Sequence, residues 1–583
     1  MAWTRGRREE AIARGEETLR AIEAIRSGQA TSASQAGLFS TWSDDFYWFS
    51  GTLLDASQGN DPALLDRAFG VAERLRARTL LDALVTAQVA PLPREELEER
   101  LHALEDALMR VNSRRSDPGL PAIERDHARE DAAALTREKS QVNDQIKRLP
   151  AHRLEQDLFA TPALVRQWLR PNEALLSFQV APWHDWTGDF GGGTWLVVVT
   201  HDAAPRAYRL NEMGRPELRR EVDRFADLLE PGDGGRRTDD RRNREVQQLA
   251  ADLGSKLLAA ALADLPATVD RLIVVPDDVL HRLPFGALRP ASGAPVLARR
   301  YTISLAPSAT LWVRGRKDRR PALRAALALA NPRPPDAAAL EKFRAAGINV
   351  PEEPLPYAES EAESAVGSLG GEERAGRNVS RSYFLEADLT HFGLLHFAAH
   401  SLVDVQDPDS SGIWLSPGRG AKGGDGLLRM TDIARLPLDR RIVVLSACST
   451  ARGKLVRGEG VLSLARAFFE AKASAVIASL WPQRDDDAAK LFDRFYRHIS
   501  EGESLAAAFA EAQRDRMNEG APTAAWAGFV VLGDGDLVPL PGGRSWLAIN
   551  RRPLALAAGL AALLALAGAA LHRRSRRSGV PYG

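Results

Sequence analysis

The sequence predicts an α/β protein whose mostly parallel sheet follows a helical N-terminal region. Uninterrupted apolar runs such as Ile442–Leu445 are typical of strands that are buried on both faces of a parallel sheet. From about residue 160 onward, these runs alternate with segments of helical spacing, which is the pattern of an α/β sheet. Before that point the chain shows helical spacing alone.

Composition narrows the function classes. A chain of 583 residues has room for roughly three or four domains. The 77 basic side chains balance 77 acidic ones, so a nucleic-acid partner is not expected. The polar and basic segment 232–245, which we expect to be a mobile loop, is only a weak signal for such a partner. The single cysteine excludes an internal disulfide and fits a reducing compartment, and the N-terminus lacks the apolar core of a signal peptide. No zinc pair, Walker A, Rossmann or GxSxG motif is present, so we expect neither a metal nor a cofactor.

The helical region has two parts. Residues 1–92 contain several segments of helical spacing, including GEETLRAIEAIRSG and DRAFGVAERLRARTLLDALVTA. In residues 93–160, Leu97, Leu101, Leu104 and Leu108 occupy a and d positions over about two heptads, and a second polar helix follows a break at 117–119. We therefore predict an antiparallel helical hairpin that connects the first part to the sheet.

The elements of the sheet region can be read from the same patterns. The predicted strands are ALLSFQVA, GTWLVVVT, AYRL and DRLIVVPDD in a first half, and ALALANP, LLHFAAH, RIVVL, SAVIASLW and WAGFVVLGD in a second half. The predicted helices of the second half are Ala358–Leu369, Glu459–Ala473, Asp486–Ile499 and Ser504–Met517.

Cys448 and His400 each lie where a predicted strand of the second half ends. Chemistry in open α/β sheets gathers at the carboxyl ends of strands, and a histidine about 50 residues before a cysteine suits a Cys/His dyad. An imidazole that takes the thiol proton makes the sulfur nucleophilic towards an acyl carbon and can then protonate the leaving amine. The alternative is that Cys448 is a small buried apolar residue.

Several blocks of the sequence, in order, resemble a known family. LLHFAAHS, VVLSACST, RGEGVLSLARAFFEAKASAVIASLWP and WAGFVVLGD are similar to the CHAT domain, a caspase- and separase-like group of bacterial cysteine proteases that often carry tetratricopeptide-like helices. LIVVPDDVLHRLPFGAL and YTISLAPSATL resemble the first half of that domain, so the likeness spans roughly 172–536. The resemblance implies that Cys448 is the nucleophile and His400 its partner. It also implies a caspase-like sandwich with a non-catalytic first half and an active second half.

The other histidines are weaker candidates for the dyad. His396 and His391 lie near His400, but only His400 ends its apolar run, where the dyad must open to substrate. We therefore interpret His396 as a structural histidine. His281 also follows a strand, but no cysteine occurs at a suitable strand end after it.

The resemblance also suggests secondary site residues. The backbone N–H groups of Cys448 and Ser401 are the expected donors to the oxyanion, although caspase-like enzymes usually have glycine where Ser401 stands. Asp485 corresponds to a pocket acid that would favour a basic residue before the cut. Alternatively, Asp485 only begins the next helix, and Arg484 could neutralise it. Asp404 either orients the imidazole or caps a turn.

An uncharged segment near the C-terminus predicts a membrane anchor. At about 1.5 Å per residue, 553–571 is long enough to cross the hydrocarbon layer, and arginines flank both of its ends. The arginine-rich tail favours its own retention inside, whereas the absence of an export signal keeps the large folded part inside. We favour a cytoplasmic protease domain on a single-pass C-terminal anchor.

These observations give one domain plan and one primary function. The predicted parts are 1–92 tetratricopeptide-like helices (or a plain helical bundle), 93–160 connector, 161–320 non-catalytic half, 321–540 catalytic half, 541–552 linker, 553–571 transmembrane helix and 572–583 basic tail. The predicted function is that of a membrane-anchored cysteine endopeptidase that cleaves a protein substrate. A protein encoded by a neighbouring gene is the first candidate for that substrate. The N-terminal helices, or a protein bound to them, are expected to regulate the enzyme. The alternative is a non-catalytic caspase-like adaptor that signals by protein binding.

Overall fold

A computed structural model of the chain describes most of residues 7–543. The segments outside the description are 1–6, 28–31, 59–60, 112–120, 149–158, 184–190, 211–212, 231–239, 318, 320–324, 334–339, 342–353, 404–410, 419–424, 447–452, 457–459 and 544–583. Of residues 77–111, only 78, 80, 81, 84, 97, 100, 104, 107, 108 and 111 are described.

The N-terminal region is helical. Its helices are α1 Arg8–Ser27, α2 Ser32–Ala56, α3 Pro62–Leu75 and α4 Ala122–Arg148. Helix α3 begins sharply because the Asp61 side chain accepts hydrogen bonds from two backbone N–H groups of the first turn and Pro62 presets the helical φ. In the connector, Leu97 and Leu104 pack with Leu135 and Val142 of α4.

The rest of the described chain is built on one sheet of eleven strands, in the order β3-β2-β1-β4-β5-β16-β15-β12-β8-β6-β7. Its strands are β1 Glu173–Val180, β2 Thr194–Thr200, β3 Arg206–Leu210, β4 Arg271–Val275, β5 Thr302–Leu305, β6 Ala326–Ala330, β7 Gly371–Ala375, β8 Leu394–Ala398, β12 Ile442–Leu445, β15 Ala475–Ser479 and β16 Phe529–Gly533. Strands outside this sheet are β9 Ser401–Leu402, β10 Gly412–Trp414, β11 Leu427–Arg429, β13 Gly453–Val456 and β14 Gly460–Ser463.

Strand direction divides the sheet into two halves that meet at β16. In the first half β1, β4 and β5 run parallel, and β2 and β3 add an antiparallel edge. In the second half β7, β6, β8, β12 and β15 run parallel. Strand β16 is parallel to β5 and antiparallel to β15, and so joins the halves. The central strands are buried on both faces, as their uninterrupted apolar sequences require.

Helices cover both faces. They are α5 Pro162–Trp168, α6 Arg215–Leu229, α7 Asp240–Ala263, α8 Ala309–Lys317, α9 Ala358–Leu369, α10 Arg381–Glu386, α11 Met430–Ile433, α12 Leu464–Glu470, α13 Asp485–Ser500, α14 Leu505–Asn518 and α15 Thr523–Ala527. Residues of α1, α2 and α3 share an apolar cluster with β1, β2 and β4, so the N-terminal helices cover one face of the first half. Helices α9, α13 and α14 cover one face of the second half.

Two predicted elements differ from the structure. The predicted helix Glu459–Ala473 is wrong in its first part, because Gly460–Ser463 pairs with Gly453–Val456 as a β-hairpin and the helix begins only at Leu464. The β-branched and glycine-flanked sequence of β14 favours the strand. Helix α7 begins at Asp240, inside the segment 232–245 that was expected to be a loop.

The fold class needs a further correction, because the predicted C-terminal transmembrane helix is not supported. In the part of the chain that the structure describes, no helix is both long and apolar enough to cross a membrane. The longest described helix, α4, has charged residues throughout its length, which a hydrocarbon layer does not accommodate. Residues 553–571 lie outside the described residues. The predicted membrane location is withdrawn together with this helix.

Candidate active site at the carboxyl edge of the sheet

Adjacent parallel strands bring the predicted site segments to one edge of the sheet. Strand β8 pairs with β12 with Phe397 opposite Leu445, and β12 pairs in turn with β15. The carboxyl ends of the three strands therefore open at the same edge, where ligands gather in such sheets. The chain leaves β8 towards His400, β12 towards Cys448, and β15 towards Asp485.

His400 is partly buried at this edge. Its carbonyl accepts a 2.9 Å hydrogen bond from the Trp414 N–H, which fixes the backbone just after β8. Ser401 begins β9 and pairs with Ile413 of β10. Ser401 is not among the described non-glycine residues with positive φ, so serine incurs no backbone strain at this position.

Two predicted site residues, Cys448 and Asp404, lie outside the described residues. Their roles therefore stay predictions.

Asp485 lies within electrostatic range of His400. It is the first residue of α13, and its Oδ2 accepts a 2.7 Å hydrogen bond from the Tyr357 N–H. Burial raises the pKa of Asp485, while that hydrogen bond and the attraction of the His400 imidazole oppose the rise. Arg484 contacts other carboxylates, since its Nε lies 3.2 Å from Asp486 and 3.7 Å from Asp487.

Beneath this edge lies a hydrogen-bonded series of buried polar side chains that the sequence analysis did not predict. The His396 ring, which is fully buried, has Nδ1 2.9 Å from the Tyr496 hydroxyl and Nε2 3.2 Å from Glu361 Oε2. Burial raises the pKa of the Glu361 carboxyl, and repulsion from Asp485 adds to the rise, while its contacts with His396 and with the side chain of Ser446, which directly follows β12, oppose it.

The sequence does contain a signal for this hydrogen-bonded series of polar side chains. In α9, Glu361 is buried on the same face as Ala358, Ala362 and Ala365, at helical spacing. A single acid within an otherwise apolar stripe must be paired or hydrogen-bonded, so it pointed to a partner in the core. His396 is fully buried within β8 and hydrogen-bonded through both ring nitrogens, as the interpretation of a structural histidine predicts.

Three other described histidines lie away from this edge of the sheet. His391 is 79% exposed, with Nε2 3.1 Å from Asp388. His281 lies in a 3-10 turn after β4, and burial lowers its pKa to about 4. His498, Glu501 and Glu503 place possible metal ligands within 4.8 Å of one another near the C-terminal end of α13, away from Asp485. His498 is already hydrogen-bonded through Nε2 to Asp515 at 3.0 Å.

A comparison with family models decides the family resemblance. Residues 244–534 match the model described as the CHAT domain. The chain contains a CHAT domain. The predicted resemblance is thereby confirmed, and the matched span includes His400, Cys448 and Asp485.

Curated relatives with a similar sequence are much longer proteins. The chain is 26% identical over 305 residues to human (Homo sapiens) tetratricopeptide repeat protein 28, which covers 45% of this chain and 12% of the relative. It is 32% identical over 109 residues to the mouse (Mus musculus) protein of the same name, covering 18% of this chain and 4% of the relative. This CHAT-containing chain therefore spans about an eighth of the human relative. The expected bacterial source finds no support in these relatives.

Two solved structures align with this chain at low sequence identity. The Saccharomyces cerevisiae separase–securin complex aligns with 90% of this chain and 40% of that chain, at 9% identity and a TM-score of 0.47. The complex of the pro- and mature domains of Porphyromonas gingivalis RgpB aligns with 55% of this chain and 77% of that chain, at 12% identity and a TM-score of 0.33.

Proposed function

We propose that the protein is a cysteine endopeptidase in which Cys448 is the nucleophile and His400 is the general base and acid. The strand register is the observation that carries the proposal. Phe397 and Leu445 are paired across β8 and β12, and His400 and Cys448 follow these two residues at equal separations along the sequence. Two side chains that leave neighbouring parallel strands in this way can meet at the sheet edge.

The chemistry follows from the residue types. The His400 imidazole takes the thiol proton, and the thiolate forms a C–S bond with the substrate carbonyl carbon. As the C–N bond breaks, the imidazolium protonates the leaving amine; water then hydrolyses the thioester with His400 again as base. The backbone N–H groups of Cys448 and Ser401 are the proposed donors to the oxyanion.

Asp485 is proposed to serve the same site. Its position within electrostatic range of His400 suits either a pocket for a basic substrate side chain or electrostatic support of the imidazolium. Asp485→Asn separates the two roles. A pocket acid lowers kcat/KM for substrates with Arg or Lys before the cut and spares those with alanine there, whereas electrostatic support affects both. Asp486→Asn, which changes a neighbouring acid that contacts Arg484 and Lys490, is the control.

Site variants test the endopeptidase directly. Cys448→Ala and His400→Ala should reduce cleavage of a peptide library to background, because the nucleophile or its base is removed. His391→Ala, which changes an exposed histidine, should cleave like the wild type. Cleavage that persists in Cys448→Ala would show that another group performs the reaction.

The N-terminal helices are proposed to regulate the peptidase. Strand β13, which follows the Cys448 segment, contacts α2, and both β13 and β14 contact the 3-10 turn Asp278–Arg282 after β4. A protein that binds the helices and shifts α2 would therefore act on the chain just beyond the nucleophile. This role is tested by measuring the rate of peptide cleavage by the full-length protein with and without the candidate binding protein.

A further inference from the structure

Among the described residues, the second half of the sheet buries His396, Tyr496 and Glu361 in a layer that is mostly apolar. His396 and Tyr496 are 0% exposed and Glu361 is 1% exposed, among residues such as Phe492 and Ala362. Burial of polar groups costs free energy unless they are hydrogen-bonded, and an apolar layer of the same volume is often as stable or more so. A polar chain in this place therefore calls for a role besides stability.

The three side chains form one continuous hydrogen-bonded chain. The Tyr496 hydroxyl bonds His396 Nδ1 at 2.9 Å, and His396 Nε2 bonds Glu361 Oε2 at 3.2 Å. Glu361 also interacts with the side chain of Ser446, which follows β12 two residues after Val444, the partner of His396 across β8 and β12. Each of the three side chains thus has a partner within the chain, and the Ser446 side chain is its end nearest the active edge.

The elements that carry this chain also carry the candidate active residues. His396 lies in β8, which leads to His400, and Tyr496 lies in α13, which begins with Asp485. Ser446 follows β12 and precedes Cys448 by two positions in the sequence. Glu361 lies in α9, which begins directly after Tyr357, and the Tyr357 N–H donates a hydrogen bond to Asp485. The polar chain therefore connects all the segments that meet at the active edge.

We propose that Glu361, His396 and Tyr496 are positioning residues that hold the end of β12, through the Ser446 side chain, in the arrangement that presents Cys448 to His400. The proposal rests on the proposed function of Cys448 as the nucleophile. It assigns the three residues no contact with substrate. Their effect is on geometry, and a small displacement of a reacting group is sufficient to lower the rate about a hundredfold.

The test uses the reactivity of Cys448, because the protein has only one cysteine and alkylation by iodoacetamide therefore reports on that thiol alone. The rate of alkylation is measured from pH 5 to pH 10 in the full-length wild type and in Tyr496→Phe, Glu361→Gln and Glu361→Ala, together with kcat and KM for a cleaved peptide. Circular dichroism and urea unfolding establish that each variant is folded under the assay conditions.

Tyr208→Phe is the control. Tyr208 lies in β3 at the edge of the first half, and its hydroxyl donates a 2.8 Å hydrogen bond to Asp264. The control therefore removes a hydrogen-bonded tyrosine hydroxyl without touching helix α2 or the chain of Tyr496, His396 and Glu361.

We expect Tyr496→Phe and Glu361→Ala to shift the pH midpoint of alkylation and to lower kcat by about tenfold or more with KM unchanged. Glu361→Gln keeps an acceptor for Ser446 and should recover part of the loss, and Tyr208→Phe should match the wild type. If the folded variants alkylate and cleave like the wild type, the positioning role is wrong. If the wild type cleaves no peptide but the variants alone change the alkylation of Cys448, the positioning role stands and the endopeptidase assignment fails.

Discussion

Each half of the sheet buries a tyrosine together with a carboxyl group, but the two halves compensate the charge differently. In the first half the Tyr47 hydroxyl donates to Asp277, which also accepts the Val180 N–H at 2.7 Å. The neighbouring Asp278 binds the guanidinium groups of Arg215 at 2.9 Å and Arg219 at 3.0 Å. Arginine is protonated at every ordinary pH, so this cluster keeps the same cations throughout.

In the second half a histidine stands between the tyrosine and the carboxyl group. Among the described residues, the side chains that most shift the pKa of Glu361 are His396, Ser446 and Asp485, and none of them is an arginine. The comparison shows an ionic cluster where no chemistry is proposed, and a hydrogen-bonded chain that contains an imidazole beside β12, the strand that leads to the proposed nucleophile.

The largest expected effect breaks the fixed cluster of the first half. Arg215→Met removes a buried partner of Asp278, which is 1% exposed, and should lower the free energy of unfolding by about 3–5 kcal/mol. Arg219→Met, at a side chain that is 50% exposed, should cost about 1 kcal/mol or less. Urea unfolding at pH 7 measures both. Equal losses in the two variants would contradict the fixed-cluster interpretation.

Acid should weaken the first half through His281. Burial lowers the pKa of His281 from 6.5 to about 4, so the unfolded chain binds this proton more readily than the native protein does. The stabilisation is complete above pH 6.5 and is lost as the pH falls towards 4, amounting to about 3 kcal/mol. His281→Gln should flatten this part of the stability profile, measured by urea unfolding between pH 4 and pH 7. The exposed His391→Gln is the control, and a wild-type profile in His281→Gln would refute the assignment.

Removing either of the two buried tyrosine hydroxyls should lower the stability of the protein by a similar amount. Tyr496→Phe leaves His396 Nδ1 without its 2.9 Å partner, and Tyr47→Phe removes the bond to Asp277. Each should lower the free energy of unfolding by about 1–3 kcal/mol. Urea unfolding of the two variants in parallel tests whether the two hydroxyls contribute similarly to stability. A loss of unfolding free energy in only one of the two variants would contradict this prediction.

The smallest effect is expected at Arg484. Its guanidinium is bound to Asp486 and Asp487 at the exposed start of α13, and it is 47% exposed. Arg484→Ala should change stability by less than about 0.5 kcal/mol and leave the preference for the residue before the cut unchanged. A gain in cleavage after Arg or Lys would instead show that Arg484 neutralises Asp485.

Local pattern was sufficient for most of the sheet. Strands such as β8 and β12 are short apolar runs bounded by turns, and α9 was predicted with the boundaries Ala358–Leu369 that the structure has. The hairpin of β13 and β14 was missed because its strands gain stability from each other across a turn, which a window of helical spacing does not reveal.

The candidate site was predictable only in part. His400 and Asp485 could be placed from strand ends and motif order, because the topology of a parallel sheet brings those ends together. The partners of His396 were not, since Glu361 and Tyr496 are distant from it in sequence and meet it only through the packing of α9 and α13 on β8. The membrane anchor rested on the length, hydropathy and flanking arginines of one segment, and none of these local features locates a segment in the fold.

Strand β16 has a consequence for the timing of biosynthesis. It enters the sheet between β5 and β15, although both of these strands precede it in the sequence. A nascent chain that has not yet released Phe529–Gly533 from the ribosome consequently presents two separate sheets, each with an open edge that can recruit other strands. Translation itself thus delays completion of the sheet until the last of its described strands has been made.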